Sequence, residues 1–395
     1  MLNKGNELQV SNVSDNSTVN QAEGNINICN NYNGLQIKDV VPLVHDLVKS
    51  ELEVCKLQAE NTVLRRFNEF TASLESELDK KVSDKISRFA EPAMQFAVRE
   101  ATVGYLKSGV PEEREALIDL LIERVKEKER TSKQFLIDEA IKVLPKLSRE
   151  NLAVLTLITY AKLRVTGNIQ ALDNWIKCLN PILDILPQVN RLDIEYLVQA
   201  DCVSASVFGQ NENWIELNRK NYPLAFVSPI DASIAKVFME KYGINRDGNG
   251  VTFSPPFNTL NHCMTLIQVF KFNEDETITP LLLKQDEYAN ILKKSDLGFM
   301  QSDFDELLSH VEAVSDEKIS SYYEKFHSNW PVAIKLLNER PINRFSLKPV
   351  GAYIGSRQLT KLYGKEVDLN LFFKRQFGII TLCNKPAFIN DVNIE

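Results

Sequence analysis

Apolar positions in the first hundred residues follow two different rhythms. Residues 1–36 are rich in Asn, Ser and Gly, and their aliphatics are sparse: Val10, Val13 and Val19, then the alternation Ile26-Asn27-Ile28. A period of two puts Ile26 and Ile28 on one face of a strand. Asp15-Asn16 and Glu23-Gly24 read as turns. Strands this short bury too little surface alone. The stretch is therefore either a tail or β-structure completed by the same segment of neighbouring copies. Over 37–106 the rhythm lengthens. Apolar or small residues recur at Val44, Val48, Leu52, Cys55, Ala59, Val63, Phe67, Phe70, Leu74, Leu78, Val82, Ile86 and Phe89. The steps are fours with an occasional three, near the ~3.67 of an eleven-residue repeat. This predicts a single long, stalk-like helix, capped by Asp39 with Pro42 in its first turn. Charged residues fill the other faces, so the stripe suits a helical bundle between copies, or packing on the chain's own later domain. Pro92 kinks or ends the helix.

Helical periodicity continues through 107–244. Pro111-Glu112-Glu113 opens a helix with acid in its first turn, and Ala116, Leu117, Leu120, Leu121 and Val125 line its apolar face. A second helix spans 132–143. "LPKLSRENLAVLTLITYAKLR" (144–164) has Ser148 as N-cap and an apolar body expected at the domain centre. Ser148-x-x-Asn151 falls short of a full capping box, because Asn stands where Glu or Gln is usual. Further helical patterns cover 169–186, 193–208 and 229–242. Near 245, Gly248, Gly250, Pro255 and Pro256 mark a boundary, after which helices resume from 258 to 363. "IITLC" (379–383) reads as an edge strand. The expected fold is mainly α, with a short N-terminal β segment (1–36), a long amphipathic helix (37–106), a helical domain (107–244) and a mainly helical C-terminal domain (245–395) ending in a small β edge.

Composition adds limits. The chain has 395 residues, a net charge of −7, 44% hydrophobic and 25% charged residues, which is ordinary for a globular protein. The acidic balance argues against a uniformly basic nucleic-acid binder and leaves room for a local basic face. Cys29, Cys55, Cys178, Cys202, Cys263 and Cys383 are scattered with no C-x-x-C pair, which suits reduced thiols in a cytoplasm. The polar N-terminus shows no apolar leader. The longest apolar runs are about half the ~20 residues of a membrane span.

Tests for chemistry are mostly negative. "NRDGNGVTFSPP" (245–256) half-resembles a calcium loop, but Pro256 stands where a bidentate Glu is needed, so a turn is expected. His262 and Cys263 are neighbours, yet adjacent helical residues point in different directions. Asp303, Asp305 and Glu306 alternate with apolar residues as a helix surface does. Nucleotide, hydrolase and zinc-protease motifs are missing. No catalytic residue, metal ligand or cofactor site is assigned. One stretch is locally basic: within "FSLKPVGAYIGSRQLTKLYG" (345–364), an extended start followed by a helix bearing Arg357 and Lys361 has the outline of a winged helix. Lys348, Arg357 and Lys361 could line a phosphate backbone there; a capped helix with ordinary surface charge is the simpler alternative.

"STVNQAEGNINI" resembles an N-terminal signature, roughly Ser-x-x-x-Gln-Ala-Gly-Gly-Asp-Ile-x-Ile, shared by many bacterial proteins, several of them encoded among phage-defence genes. Ser17, Gln21, Ala22, Gly24, Ile26 and Ile28 match; Glu23 and Asn25 depart from it. The stretches 144–164 and 345–373 resemble a largely uncharacterised bacterial family carrying that signature, although its usual Leu-Thr-x-x-Gly is Leu347-Lys348-Pro349-Val350-Gly351 here. The resemblance implies a bacterial cytoplasmic protein associated with anti-phage defence, and supplies no catalytic residues. Together these features lead us to expect a homo-oligomeric scaffold or sensor answering an unidentified protein partner or trigger. Assembly would run through Val19, Gln21, Gly24, Ile26, Ile28, Val44, Val48, Leu52, Phe67 and Phe70. The alternatives are a nucleic-acid-binding regulator using Lys348, Arg357 and Lys361, and an enzyme whose site matches no motif.

Overall fold

The structure is a computed structural model that describes residues 41–42, 57–128, 130–205, 213–247, 250–255, 259–339, 342–372 and 378–380. It is mainly α-helical, and the chain forms two compact units, residues 1–142 and 143–395. The expected boundaries at 106/107 and 244/245 do not coincide with this division.

In the first unit, α1 (Leu57–Val82) leads into a 3-10 turn (Ser83–Ala90), followed by α2 (Pro92–Ser108), α3 (Pro111–Lys126) and α4 (Ser132–Val143). The single helix expected over 37–106 is thus two helices across its described part. The break is local. Val82 leaves helical geometry (φ −150, ψ 29), and Glu91 is extended (φ −70, ψ 134) because Pro92 restricts the residue before it. Pro92 then starts α2, where its missing N–H costs nothing. The apolar stripe survives the break: Phe67, Phe70, Leu74, Leu78, Val82, Ile86 and Phe89 are all buried. It closes on α2 and α3 of its own chain. Gly109 ends α2 in the left-handed region (φ 66), and a Cβ there would lie 2.3 Å from the Arg66 guanidinium.

The second unit begins with α5 (Arg149–Ala161), β1 (Leu163–Val165), α6 (Ile169–Lys177), α7 (Asn180–Leu183), α8 (Arg191–Gln199), β2 (Val203–Ala205), α9 (Trp214–Asn221) and α10 (Ala232–Lys241). The hairpin β3 (Ile244–Asp247) and β4 (Gly250–Phe253) follows, then α11 (Leu260–Val269), β5 (Phe270–Phe272) and β6 (Ile278–Pro280). The chain continues through α12 (Gln285–Lys294), α13 (Gln301–Ser309), α14 (Asp316–Glu324), α15 (Trp330–Asn338), β7 (Phe345–Leu347), α16 (Pro349–Tyr363) and β8 (Gly378–Ile380). Among the described residues the strands form two-stranded sheets: β1 with β8 in parallel, and β2–β7, β3–β4 and β5–β6 antiparallel. Of the expected C-terminal edge strand (379–383), Ile379 and Ile380 lie in β8, and 381–383 lie outside the described residues. The helix expected over 193–208 stops early, because Asp201 adopts φ 59 and the chain enters β2.

Helix α5 is buried on nearly every side from Ala153 to Tyr160, as its sequence predicted. Its N-terminus is better capped than expected. Ser148 Oγ accepts the Asn151 N–H (3.1 Å), and Asn151 Oδ1 accepts the Ser148 N–H (2.8 Å), so Asn completes the box. Helix α16 makes two close approaches through glycine, one to the chain just before β2 and one to α5. A Cβ on Gly351 would sit 1.9 Å from the Cys202 carbonyl oxygen, and one on Gly355 2.0 Å from Thr159 Oγ1.

Candidate interaction surface

Of the expected assembly residues, Val19, Gln21, Gly24, Ile26, Ile28, Val44, Val48 and Leu52 lie outside the described residues. Phe67 and Phe70 are 4% and 0% exposed. Phe70 stacks on Tyr105 of α2, with ring centroids 5.9 Å apart. Their side chains fill the core of the first unit. The periodicity that singled them out is real, but the chain's own helices cover it.

Polar groups lock this bundle together. The Tyr105 hydroxyl donates to Glu69 Oε2 (2.7 Å), and Arg65 Nη1 donates to Glu69 Oε1 (2.6 Å). The Tyr105 bond, then Arg65 and Arg114, hold the Glu69 carboxyl below its usual value. Arg66 Nη1 donates to the carbonyls of Leu106 (2.6 Å) and Lys107 (2.9 Å), satisfying the C-terminal end of α2. The buried Arg124 donates through Nε to Asp138 (2.8 Å), whose other oxygen accepts from Gln134 (3.0 Å). Glu113, in the first turn of α3, is buried; its Oε1 has no hydrogen-bond partner. Burial pushes its carboxyl above the usual range, against a hydrogen bond with Ser108.

Two aromatic side chains among the unit's described residues face outward. Phe96 on α2 is 64% exposed and Phe135 on α4 is 56% exposed. Each is out of phase with the buried positions of its own helix, Met94, Ala97, Val98 and Ala101 on α2, and Gln134, Ile137, Ala140 and Ile141 on α4. That phase error is the sequence signal that marks them, and following the buried stripe alone passes over it. Both helices meet α3, α2 by packing and α4 through the Arg124–Asp138 and Glu123–Lys133 ion pairs. Burial raises the Glu100 carboxyl, while the charges of Lys142, Glu139 and Asp138 on α4 act on it in opposing directions.

The second unit centres on aromatics. Tyr160 stacks on Trp175 (4.7 Å between centroids) and meets Trp214 (6.1 Å) and Trp330 (6.0 Å) at tilted angles. Tyr323 packs on Trp330 at 4.8 Å and donates its hydroxyl to Asn218 Oδ1 (2.9 Å). Burial governs the ionisable groups here. It pushes the thiols of Cys178 and Cys202 and the phenols of Tyr222 and Tyr363 up to about 12, and lowers the Lys162 ammonium. Thiols in that range are protonated and weakly nucleophilic at neutral pH. Glu287, also raised by burial, accepts the N–H groups of Gly167 (2.9 Å), Leu283 (3.2 Å) and Lys284 (3.2 Å), tying the turn before α6 to the start of α12.

Of the basic residues considered in 345–364, Lys348 precedes α16, and Arg357 and Lys361 lie on it. "FSL" is extended as expected, but it is β7, paired with β2. Helix α16 buries Val350 through Ser356 and Leu359. Lys348 forms an ion pair with Asp201 and donates its N–H to the Cys202 carbonyl (3.0 Å). Arg357 is half-buried and Lys361 is exposed near the helix end. The calcium-like loop falls on the β3–β4 hairpin, with Asn245 opposite Thr252. Two of the carboxylates considered on the α13 surface are bonded: Asp303 pairs with Lys241 (2.6 Å), and Asp305 accepts from Gln285 and Gln301. Among the described residues, no group of three or more His, Cys, Asp or Glu side chains could hold a metal ion. None of the described helices is long and apolar enough to cross a membrane.

Residues 34–373 match the model of one protein family, whose description reads only ":-like". The chain belongs to that family. Its description states no reaction, ligand or partner, and the matched stretch takes in every described helix from α1 to α16. No curated protein and no solved structure matches the chain.

Proposed function

We propose that the protein is a self-assembling scaffold or sensor, in which contacts between copies gather several second units at one target. The observation that carries this reading is the exposure of two phenylalanines, Phe96 and Phe135, on two helices of the first unit. Aromatic side chains left on a surface are enriched where a protein meets another macromolecule. The ionisable groups with shifted values sit in structural roles, as bundle ties and turn clamps, which supports a binding rather than a catalytic role. The signature resemblance of 17–28 supports a setting in bacterial phage defence, with the N-terminal segment as a second assembly element. Joining copies raises the effective concentration of the second units at a shared partner, which gives assembly a functional use.

Light scattering after size-exclusion chromatography tests this on the full chain and on a version starting at Gly34. The expected result is a defined oligomer for the full chain and a smaller species for the shortened one. A monomeric full chain at every accessible concentration would remove the proposal.

A further inference from the structure

We infer that His327 is a proton-operated latch at the entry to α15: its neutral imidazole fastens the turn between α14 and α15, and a protonated ring releases it. The device lies wholly within the second unit and works whether or not copies assemble.

The hydrogen bonds fix the state of the ring. Nδ1 accepts the Asn329 backbone N–H (3.2 Å), so that nitrogen carries no proton. The ring proton therefore sits on Nε2, which lies 3.3 Å from Oδ1 of Asp184, the residue that closes α7. The same carboxylate oxygen accepts from Asn329 Nδ2 (3.2 Å), and Asn180 Nδ2 of α7 donates to the Phe326 carbonyl (3.1 Å). The turn 326–329 is thus sewn to α7 on both sides of His327. The imidazole is 18% exposed, so a proton from solvent can reach it.

A second ring proton must go to Nδ1. That nitrogen then becomes a donor facing a donor, and the bond from Asn329 is lost. Across the ring, the contact with Asp184 gains charge and strengthens. Asp184 is 76% exposed, so water screens much of that gain. The loss lands where α15 begins. Asn329 is its N-cap, and the Asn329 carbonyl accepts the N–H groups of Val332 (3.1 Å) and Ala333 (3.2 Å). The next residue, Trp330, is fully buried against Tyr323 and Tyr160, so the latch adjoins the aromatic centre of the unit.

The charged and titratable groups around the turn are Asp184, Asp173 and Lys177 of α6, and Tyr322, Glu324 and Lys325 at the end of α14. Tyr322 donates its hydroxyl to Asp173, and its phenol is pushed up by burial and by that bond. The Lys177 ammonium lies over the Phe326 ring (5.3 Å), and that of Lys325 over the Tyr322 ring (5.7 Å). The 3-10 turn 186–188, which packs on α15, and the first turn of α15 bring no charge. Of these side-chain types, imidazole is the one whose ordinary titration falls between pH 5 and 8.

The test is amide hydrogen exchange by mass spectrometry on the full chain, from about pH 8 to about pH 5, corrected for the intrinsic dependence of exchange on pH. Protection of peptides spanning 326–331 is expected to fall several-fold as pH drops, while that of α5 holds. Unchanged protection at 326–331 would overturn the latch. His327→Asn should abolish the response, because an Asn carboxamide accepts the N–H two residues on at any pH. The same fall in that variant would assign the response to another group and overturn the inference. If circular dichroism shows that His327→Asn is misfolded, Asp184→Asn takes its place. Without its carboxylate partner the imidazole protonates less readily, so release should move to lower pH; release at the unaltered pH would overturn the assignment to His327.

Discussion

The two units join their helices by opposite means. In the first, α1 reaches α2 and α3 through large side chains: Phe67, Phe70, Leu74 and Leu78 fill the space, and Tyr105 stacks beneath Phe70. In the second, α16 approaches through the absence of side chains, at Gly351 to the Cys202 backbone and at Gly355 to α5. A packing built by filling fails when something is removed. A packing built by omission fails when something is added. The first kind also leaves freedom at its outer faces, and there the two phenylalanines stand.

That contrast can be broken from either side. Phe70→Ala should open a cavity in the first unit and cost about 3–5 kcal/mol, read as an earlier urea transition by circular dichroism. Gly355→Ala should destabilise the second unit by about 1–3 kcal/mol, since the new methyl meets Thr159 Oγ1 at 2.0 Å. Adding Thr159→Ala should recover part of that loss. A neutral Gly355→Ala would mean that α16 can move away from α5, and the contrast would weaken.

Glu113 gives a smaller effect that bears on the first unit alone. Its carboxyl is held above the ordinary 4.5 by burial, so the folded state keeps a proton that the unfolded chain releases. Its unfavourable contribution is absent below that ordinary value and grows as pH rises through the folded-state value. Glu113→Gln should therefore stabilise the protein at neutral pH, and the gain should fade as pH falls toward the ordinary carboxylate value. Thermal melts at several pH values check this; a gain independent of pH would point to packing instead. The smallest effect is expected from Phe96→Ser, within about 0.5 kcal/mol of the unaltered stability, because that ring is 64% exposed. A large loss would show that Phe96 belongs to the core.

The fold class was readable because period and punctuation agree along most of the chain. Pro111 opens α3, Ser148 caps α5 and the stripe from Phe67 to Phe89 is buried as its spacing requires. What periodicity cannot state is which surface covers a stripe. Phe67 and Phe70 carry the same pattern whether the partner is another copy or the next helix. The break at 83–91 was hidden because Ile86 and Phe89 continue the stripe through a 3-10 turn, with only Pro92 to signal it. Strands of three residues, such as β1 and β2, are shorter than any period-two pattern can reveal. The candidate surface was legible in principle, as apolar residues out of phase with their helices.

The placement of the tryptophans gives the molecule a built-in optical asymmetry. All three of the chain's indoles, Trp175, Trp214 and Trp330, surround Tyr160 in the second unit. Excitation at the red edge of protein absorption therefore reports on that unit alone, while the first unit stays dark without any label. A change in emission when copies associate would be news from the second unit, and a lanthanide or dye placed on the first would be read against a clean background.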